Sequence, residues 1–102
     1  MSTSYKVATR QDIEPGSAKC VEAAGRYIAL FNVDGAFYAT DDECTHAEAS
    51  LSDGWLEENE VTCPLHGAVF DVTTGKPLSL PATRPVRTYL VRVEGNDIYV
   101  EV

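Results

Sequence analysis

The sequence predicts an all-β fold, a sandwich or barrel, with a smaller block of two hairpin-borne loops inserted into it. Three observations carry this. Short runs rich in Val, Ile, Tyr and Phe recur along the chain, separated by Gly, Pro, Asn and Asp. No stretch sustains the 3.6-residue apolar period of a helix. Two-residue turns of hairpin type, Asp34-Gly35 and Gly95-Asn96, fall between strand-like runs.

Taken in order, Tyr5 to Ala8 reads as a first short strand, and Asp12 to Gly16 as a turn punctuated by Pro15 and Gly16. Ser17 to Ala23 is a second strand, closed by Ala24-Gly25. Arg26 to Val33 is the most strand-like segment, and Asp34-Gly35 turns it back into Ala36 to Ala39. Trp55-Leu56 and Glu60 to Cys63 form a small hairpin across Glu57 to Asn59, and Ala68 to Asp71 is a return strand. Pro77, Pro81 and Pro85 exclude a central strand between Gly75 and Val86. Val86 to Val93 and Asp97 to Val102 then make the last hairpin.

The chain has 102 residues, which predicts one domain. Its 16 acidic and 8 basic residues give a net charge of −8. That balance argues against a nucleic-acid partner or an anionic membrane surface, both of which need basic patches. It suits a partner with a basic docking face. Tyr27 to Phe31, the longest apolar run, is far too short to span a bilayer, and the first residues show no secretory signal pattern. Three cysteines without a disulfide plan fit a reducing cytoplasm.

The chemistry concentrates in one stretch. Cys44-Thr45-His46 and Cys63-Pro64-Leu65-His66-Gly67 are separated by residues 47 to 62, and they hold both histidines of the chain. Sulfur and imidazole ligands at this spacing suit iron–sulfur or zinc chemistry. A structural Cys₂His₂ zinc site would accept the same residues. Zinc knuckles, however, usually pair Cys with Cys and His with His, whereas each loop here mixes the two. Pro64 restricts the second loop and Gly67 permits a positive φ. With both histidines committed, Ser50 and Ser52 have no base for hydrolase chemistry. For the same reason the chain lacks the histidines of a mononuclear oxygenase iron, and it shows no dinucleotide fingerprint. Asp41-Asp42-Glu43 and Glu57-Glu58 read either as a solvated surface or as an acidic docking rim. Cys20 reads as a buried or half-buried small hydrophobe, and Trp55 as a core plug beside the first loop.

The two Cys/His loops resemble the Rieske [2Fe–2S] motif, in which two histidines replace two cysteines on one iron. Ala29 to Val33, Phe37 to Ala39, Leu51 to Glu57, Phe70 to Lys76 and Leu80 to Thr83 extend the similarity to Rieske-type ferredoxins of bacterial ring-hydroxylating dioxygenases. The resemblance implies one [2Fe–2S] cluster, with Cys44 and Cys63 on the inner iron and His46 and His66 on the outer. It implies a single domain over residues 1–102, with an antiparallel β-sandwich base of about 1–41 and 73–102 and an inserted cluster-binding subdomain of two ligand loops at about 42–72. Pro81 is expected in a loop over the cluster. The implied function is a cytoplasmic, monomeric electron carrier rather than an enzyme, taking one electron from a flavoprotein NAD(P)H reductase to a terminal oxygenase. A non-redox accessory or sensor domain of the same fold is the alternative.

Rieske subunits of respiratory complexes carry an extra cysteine in each loop; here Ala49 and Leu65 stand instead. Their hydroxyl donors, two and four residues after the second histidine, are replaced by Ala68 and Phe70. Without those donors to sulfur an added electron is less stable. The midpoint potential is therefore expected near the low end of the Rieske range, about −150 mV. A spectroelectrochemical titration giving a value above zero would contradict this.

Overall fold

The computed structural model describes residues 3–44, 49–65, 67–80 and 84–102. His46, His66 and Pro81 lie outside the described residues. The described residues form ten strands: β1 (Ser4–Thr9), β2 (Ala18–Ala23), β3 (Arg26–Val33), β4 (Ala36–Asp41), β5 (Trp55–Glu57), β6 (Glu60–Thr62), β7 (Val69–Asp71), β8 (Thr88–Tyr89), β9 (Val91–Glu94) and β10 (Asp97–Glu101). Among the described residues the only helical pieces are single 3₁₀ turns at Arg10–Asp12 and Leu51–Asp53.

The strands form three antiparallel sheets, ordered β1-β10-β9, β2-β3-β4-β8 and β5-β6-β7. The first two close the sandwich. Ala8, Val21, Ala23, Ile28, Leu30, Ala39, Ile98 and Val100 form the buried layer between them. The opposite face of β3 carries Ala29 and Phe31 into a second core, shared with Leu51, Val61, Phe70 and Val72. Alternate side chains of a strand point to opposite faces, so β3 is covered on both. This explains the unbroken apolar run from Ile28 to Phe31, which a strand exposed on one face would not show.

The expected hairpin at Asp34-Gly35 forms with φ of 51° and 93°, the left-handed pair of a type I′ turn. Asn32, buried just before it, serves both sides of the turn. Its amide nitrogen donates to the Ile13 carbonyl at 2.8 Å, and its oxygen accepts the Gly35 N–H at 2.8 Å. The backbone groups of Asn32 also pair with Gly16 and Ser17. One side chain thus ties the loop before β2 to the β3–β4 turn.

The single strand expected over Val86 to Val93 is two strands in different sheets. Tyr89 pairs with Ala39 on β4, whereas Val91 pairs with Val100 on β10. Leu90, between them, is exposed and its carbonyl accepts the Glu101 N–H at 3.0 Å. The break lets one segment stitch the two sandwich layers together, as corner strands do. An apolar run alone does not reveal such a switch, because both halves remain strand-like.

Asn32→Ala leaves the Ile13 carbonyl and the Gly35 N–H without their partner. Urea unfolding should show a loss of about 1–3 kcal/mol, the penalty for orphaned buried polar groups. A change within error would show that water replaces the amide.

Candidate metal centre

Cys44 and Cys63 stand at the roots of the two loops, and the roots share one geometry. The Cys44 N–H donates to the Ala49 carbonyl at 2.9 Å. The Cys63 N–H donates to the Ala68 carbonyl at 2.7 Å. Each cysteine is therefore bonded to the residue five further on, and each loop is closed over four intervening residues. Behind the first closure, Glu43 bridges Ser50 and the Leu51 N–H donates to the Asp42 carbonyl at 2.7 Å. Behind the second, Thr62 pairs with Val69 and Val61 with Phe70. The repeated C-x₄-A pattern was visible in the sequence, where Ala49 and Ala68 were read only for what they replace.

Gly54 brings the two roots together. A Cβ on Gly54 would lie 2.1 Å from the Thr62 carbonyl oxygen, so no larger residue fits. The segment following the first loop thereby lies directly on the strand that enters Cys63. In the second loop Gly67 adopts φ of 72°, the positive value that its sequence position suggested.

Both cysteines are buried in the second core with Ala29, Phe31, Leu51, Val61, Ala68, Phe70 and Val72. Ala68 and Phe70 are wholly buried, so the two positions expected to lack a hydroxyl donor are also sealed from water. The donor set fits an iron–sulfur group. The thiols of Cys44 and Cys63, a soft donor type, are buried in one apolar core, and their loops carry the only histidines of the chain. His46 and His66 themselves lie outside the described residues.

Several surrounding residues differ from expectation. Asp42 is only 5 % exposed, so it belongs neither to a solvated acidic surface nor to a docking rim. Its carboxylate accepts the Ser52 N–H at 2.9 Å, and its own N–H donates to the Tyr27 carbonyl at 3.1 Å. Its neighbour Asp41 accepts a hydrogen bond from the Tyr89 hydroxyl, tying β8 to the end of β4. Burial and that carboxylate together push the Tyr89 phenol up from its ordinary range. Glu57 and Glu58 are exposed, but Glu58 shares a groove with Pro15, Gly16, Val33 and Asp34. That groove is at the turn end of β4, about 20 Å of strand from the first loop, and not around the centre.

Cys20 is exposed rather than buried, because on β2 it is Val21 and Ala23 that face the core. Partial burial and the nearby Asp42 carboxylate push its thiol up to about 11. Trp55 is 63 % exposed and plugs no core. Within its short strand it is Leu56 that packs inward. Sequence reasoning passed over Leu78 and Leu80. Both are exposed, as is Leu65 in the second loop. Leu78 N–H donates to the Val69 carbonyl at 2.7 Å, and Ser79 Oγ accepts the Val69 N–H at 3.1 Å. These bonds hold the Leu78–Leu80 segment against the strand that leaves the second loop.

Residues 3–90 match the Rieske [2Fe–2S] domain family. The 3-phenylpropionate/cinnamic acid dioxygenase ferredoxin subunit of Escherichia coli (strain K12) is 50 % identical over 92 residues, covering 89 % of this chain and 86 % of that one. Among solved structures, the ferredoxin of carbazole 1,9a-dioxygenase from Nocardioides aromaticivorans IC177 is 38 % identical. It superposes with a TM-score of 0.93 over 96 % of each chain. A chain from the complex of reduced oxygenase and oxidized ferredoxin in carbazole 1,9a-dioxygenase is 41 % identical, with a TM-score of 0.90 over 95 % of this chain and 91 % of that one. No helix among the described residues is long and apolar enough to cross a membrane. With the two buried thiols, the loop pattern and these similarities in agreement, the chain belongs to the Rieske [2Fe–2S] domain family, as a ferredoxin-type electron carrier with one Rieske-type [2Fe–2S] cluster.

Proposed function

We propose that Cys44 and Cys63 hold one iron of the cluster, that His46 and His66 hold the other, and that a flavoprotein NAD(P)H reductase supplies the electron. The observation that carries the ligand assignment is the matched closure of the two loops on Cys44 and Cys63 inside one apolar core. The chain is the ferredoxin component of a dioxygenase system and not a catalytic subunit. It delivers one electron at a time to a terminal Rieske non-haem iron oxygenase. By similarity, an aromatic compound is the substrate of that partner and not of this chain.

The bound cluster supplies the one-electron chemistry. The residues supply the rest. Leu51, Val61, Ala68 and Phe70 keep water from the two thiols. The backbone closures at Cys44 and Cys63 fix where those thiols point, which limits rearrangement between oxidation states. Residues of about 42–72 act as the cluster-binding subdomain, with the base formed by about 1–41 and 73–102. The carrier is a cytoplasmic monomer that binds neither nucleic acid nor membrane, in keeping with its net charge of −8.

Docking uses the loop end of the molecule. Leu65, Leu78 and Leu80 give an apolar surface beside the second loop, and exposed Glu43 adds charge beside the first. An electron carrier needs a partner close to its cofactor, and a small apolar patch with a charged rim suits a transient complex.

Dithionite-reduced protein should give the rhombic EPR signal of mixed histidine and cysteine ligation. Cys63→Ser should lose the iron, whereas Cys20→Ser should keep a full complement; a colourless zinc protein would overturn the assignment. For docking, Leu80→Asp should slow reduction of the oxygenase about tenfold, the kinetic worth of about 1.4 kcal/mol. Glu58→Lys, at the opposite end, should leave the rate unchanged. Equal effects of the two substitutions in stopped-flow measurements would place the docking face elsewhere.

A further inference from the structure

The two loop roots match in backbone geometry but not in charge. Behind Cys63 stand Val61, Thr62, Val69 and Phe70, none of them ionisable. Behind Cys44 stands Asp42, the only ionisable residue among the buried polar side chains of the described residues; Asn32 and Thr40 are the others. A buried carboxylate is costly unless it is held by donors, and one at a metal site is rarely without effect on that site.

Asp42 touches every piece of the first root. Its N–H is held by β3 at Tyr27, its carbonyl holds Leu51, and its carboxylate holds Ser52. Leu51 and Ser52 begin the 3₁₀ turn that leads into Gly54, and Gly54 rests on the strand entering Cys63. A carboxylate fixed in this way does two things. It sets the spacing between the two ends of the loop, and it leaves a negative charge two residues from Cys44.

We propose that Asp42 is a positioning residue for the first ligand loop and the fixed charge that makes the cluster harder to reduce. The inference rests on Cys44 being a cluster ligand. A negative charge in a poorly solvated interior raises the energy of an added electron far more than a surface charge at similar range. Asp42 therefore acts in the same direction as the missing hydroxyls at Ala68 and Phe70, but from the other loop. Cys20, exposed on β2, reports on this charge from outside the site. Cys20, Asp42, Tyr27, Glu43, Ala49 and Ser50 line one shallow groove, so the thiol senses the carboxylate without belonging to either loop.

The decisive variant is Asp42→Asn, whose amide oxygen still accepts the Ser52 N–H while the charge is gone. With iron content and EPR line shape unchanged, its midpoint should rise at least twice as far as that of Asp53→Asn, an exposed control carboxylate. Cys20 should also alkylate faster, since removing the charge favours the thiolate; peptide mapping assigns the modified residue. Cys20→Lys brings a cation to Asp42 without altering a loop residue. It should raise the midpoint in the same direction, whereas Cys20→Ser should not, and this arm decides the matter if Asp42→Asn fails to retain iron. Intact clusters with unmoved midpoints in both Asp42→Asn and Cys20→Lys would overturn the proposal while leaving the ligand assignment standing. Retention of iron by Cys63→Ser would instead overturn the ligand assignment.

Discussion

A thiolate held in an apolar interior keeps a defined position only if the backbone that carries it is fixed before the metal binds. Here that fixing comes from two hydrogen bonds of one kind, from Cys44 to Ala49 and from Cys63 to Ala68. Each converts a connection between strands into a closed loop of set width. The surrounding construction serves those closures. β4 and its extension carry one root, β6 and β7 carry the other, and Gly54 presses the two together against the Thr62 carbonyl. The placement of the two cysteines is therefore a property of strand pairing.

The closures would have nothing to rest on without β3. Its two buried faces join two cores that the chain could otherwise not connect, the sandwich layer through Ile28 and Leu30 and the metal layer through Ala29 and Phe31. A domain of about 100 residues buries a limited share of its surface, so a shared central strand is an efficient way to support a second layer. It also couples the layers mechanically. The N–H of Asp42 bonds to Tyr27 at the start of β3, and Tyr89 reaches Asp41 from the sheet's edge. The root of the first loop is thus joined to the base by one backbone and one side-chain hydrogen bond.

Most of the fold was legible because its signals are local. Turn residues marked the hairpins at Asp34-Gly35 and Gly95-Asn96, and β3 spans the strand-like segment from Arg26 to Val33 that Ala24-Gly25 and Asp34-Gly35 delimit. Cys44 and Cys63, proposed as ligands, stand out in the sequence because few other patterns place Cys and His in two loops of this spacing. What was not legible depends on the third dimension. Val86 to Val93 reads as one strand, and only sheet pairing shows that Leu90 divides it. Asp42 sits in an acidic run that looks solvated, and only the return of residues 50–52 over it removes it from water. Cys20 and Trp55 were misassigned for a related reason. In short strands, residue type predicts the facing side less well than the neighbours do, and Val21 and Leu56 take the inward positions.

The charges of this chain fall into two kinds that its sequence does not separate. Glu43, Glu57, Glu58 and Glu60 are exposed, where water and salt screen them and where they influence how partners approach. Asp42, only 5 % exposed and with its carboxylate on the Ser52 N–H, is largely withdrawn from that screening. A carrier must release its electron as readily as it takes it, so its site cannot stabilise the reduced state strongly. Ala68 and Phe70 withhold hydrogen bonds on the second root, and Asp42 adds a charge on the first. In the proposed arrangement the second root would lower the potential by what it lacks and the first by what it contains. These devices lie in separate loops but meet through Leu51, which bonds to the Asp42 carbonyl and packs in the same core as Ala68 and Phe70, so substitutions in the two should depart from simple additivity in their effect on the potential.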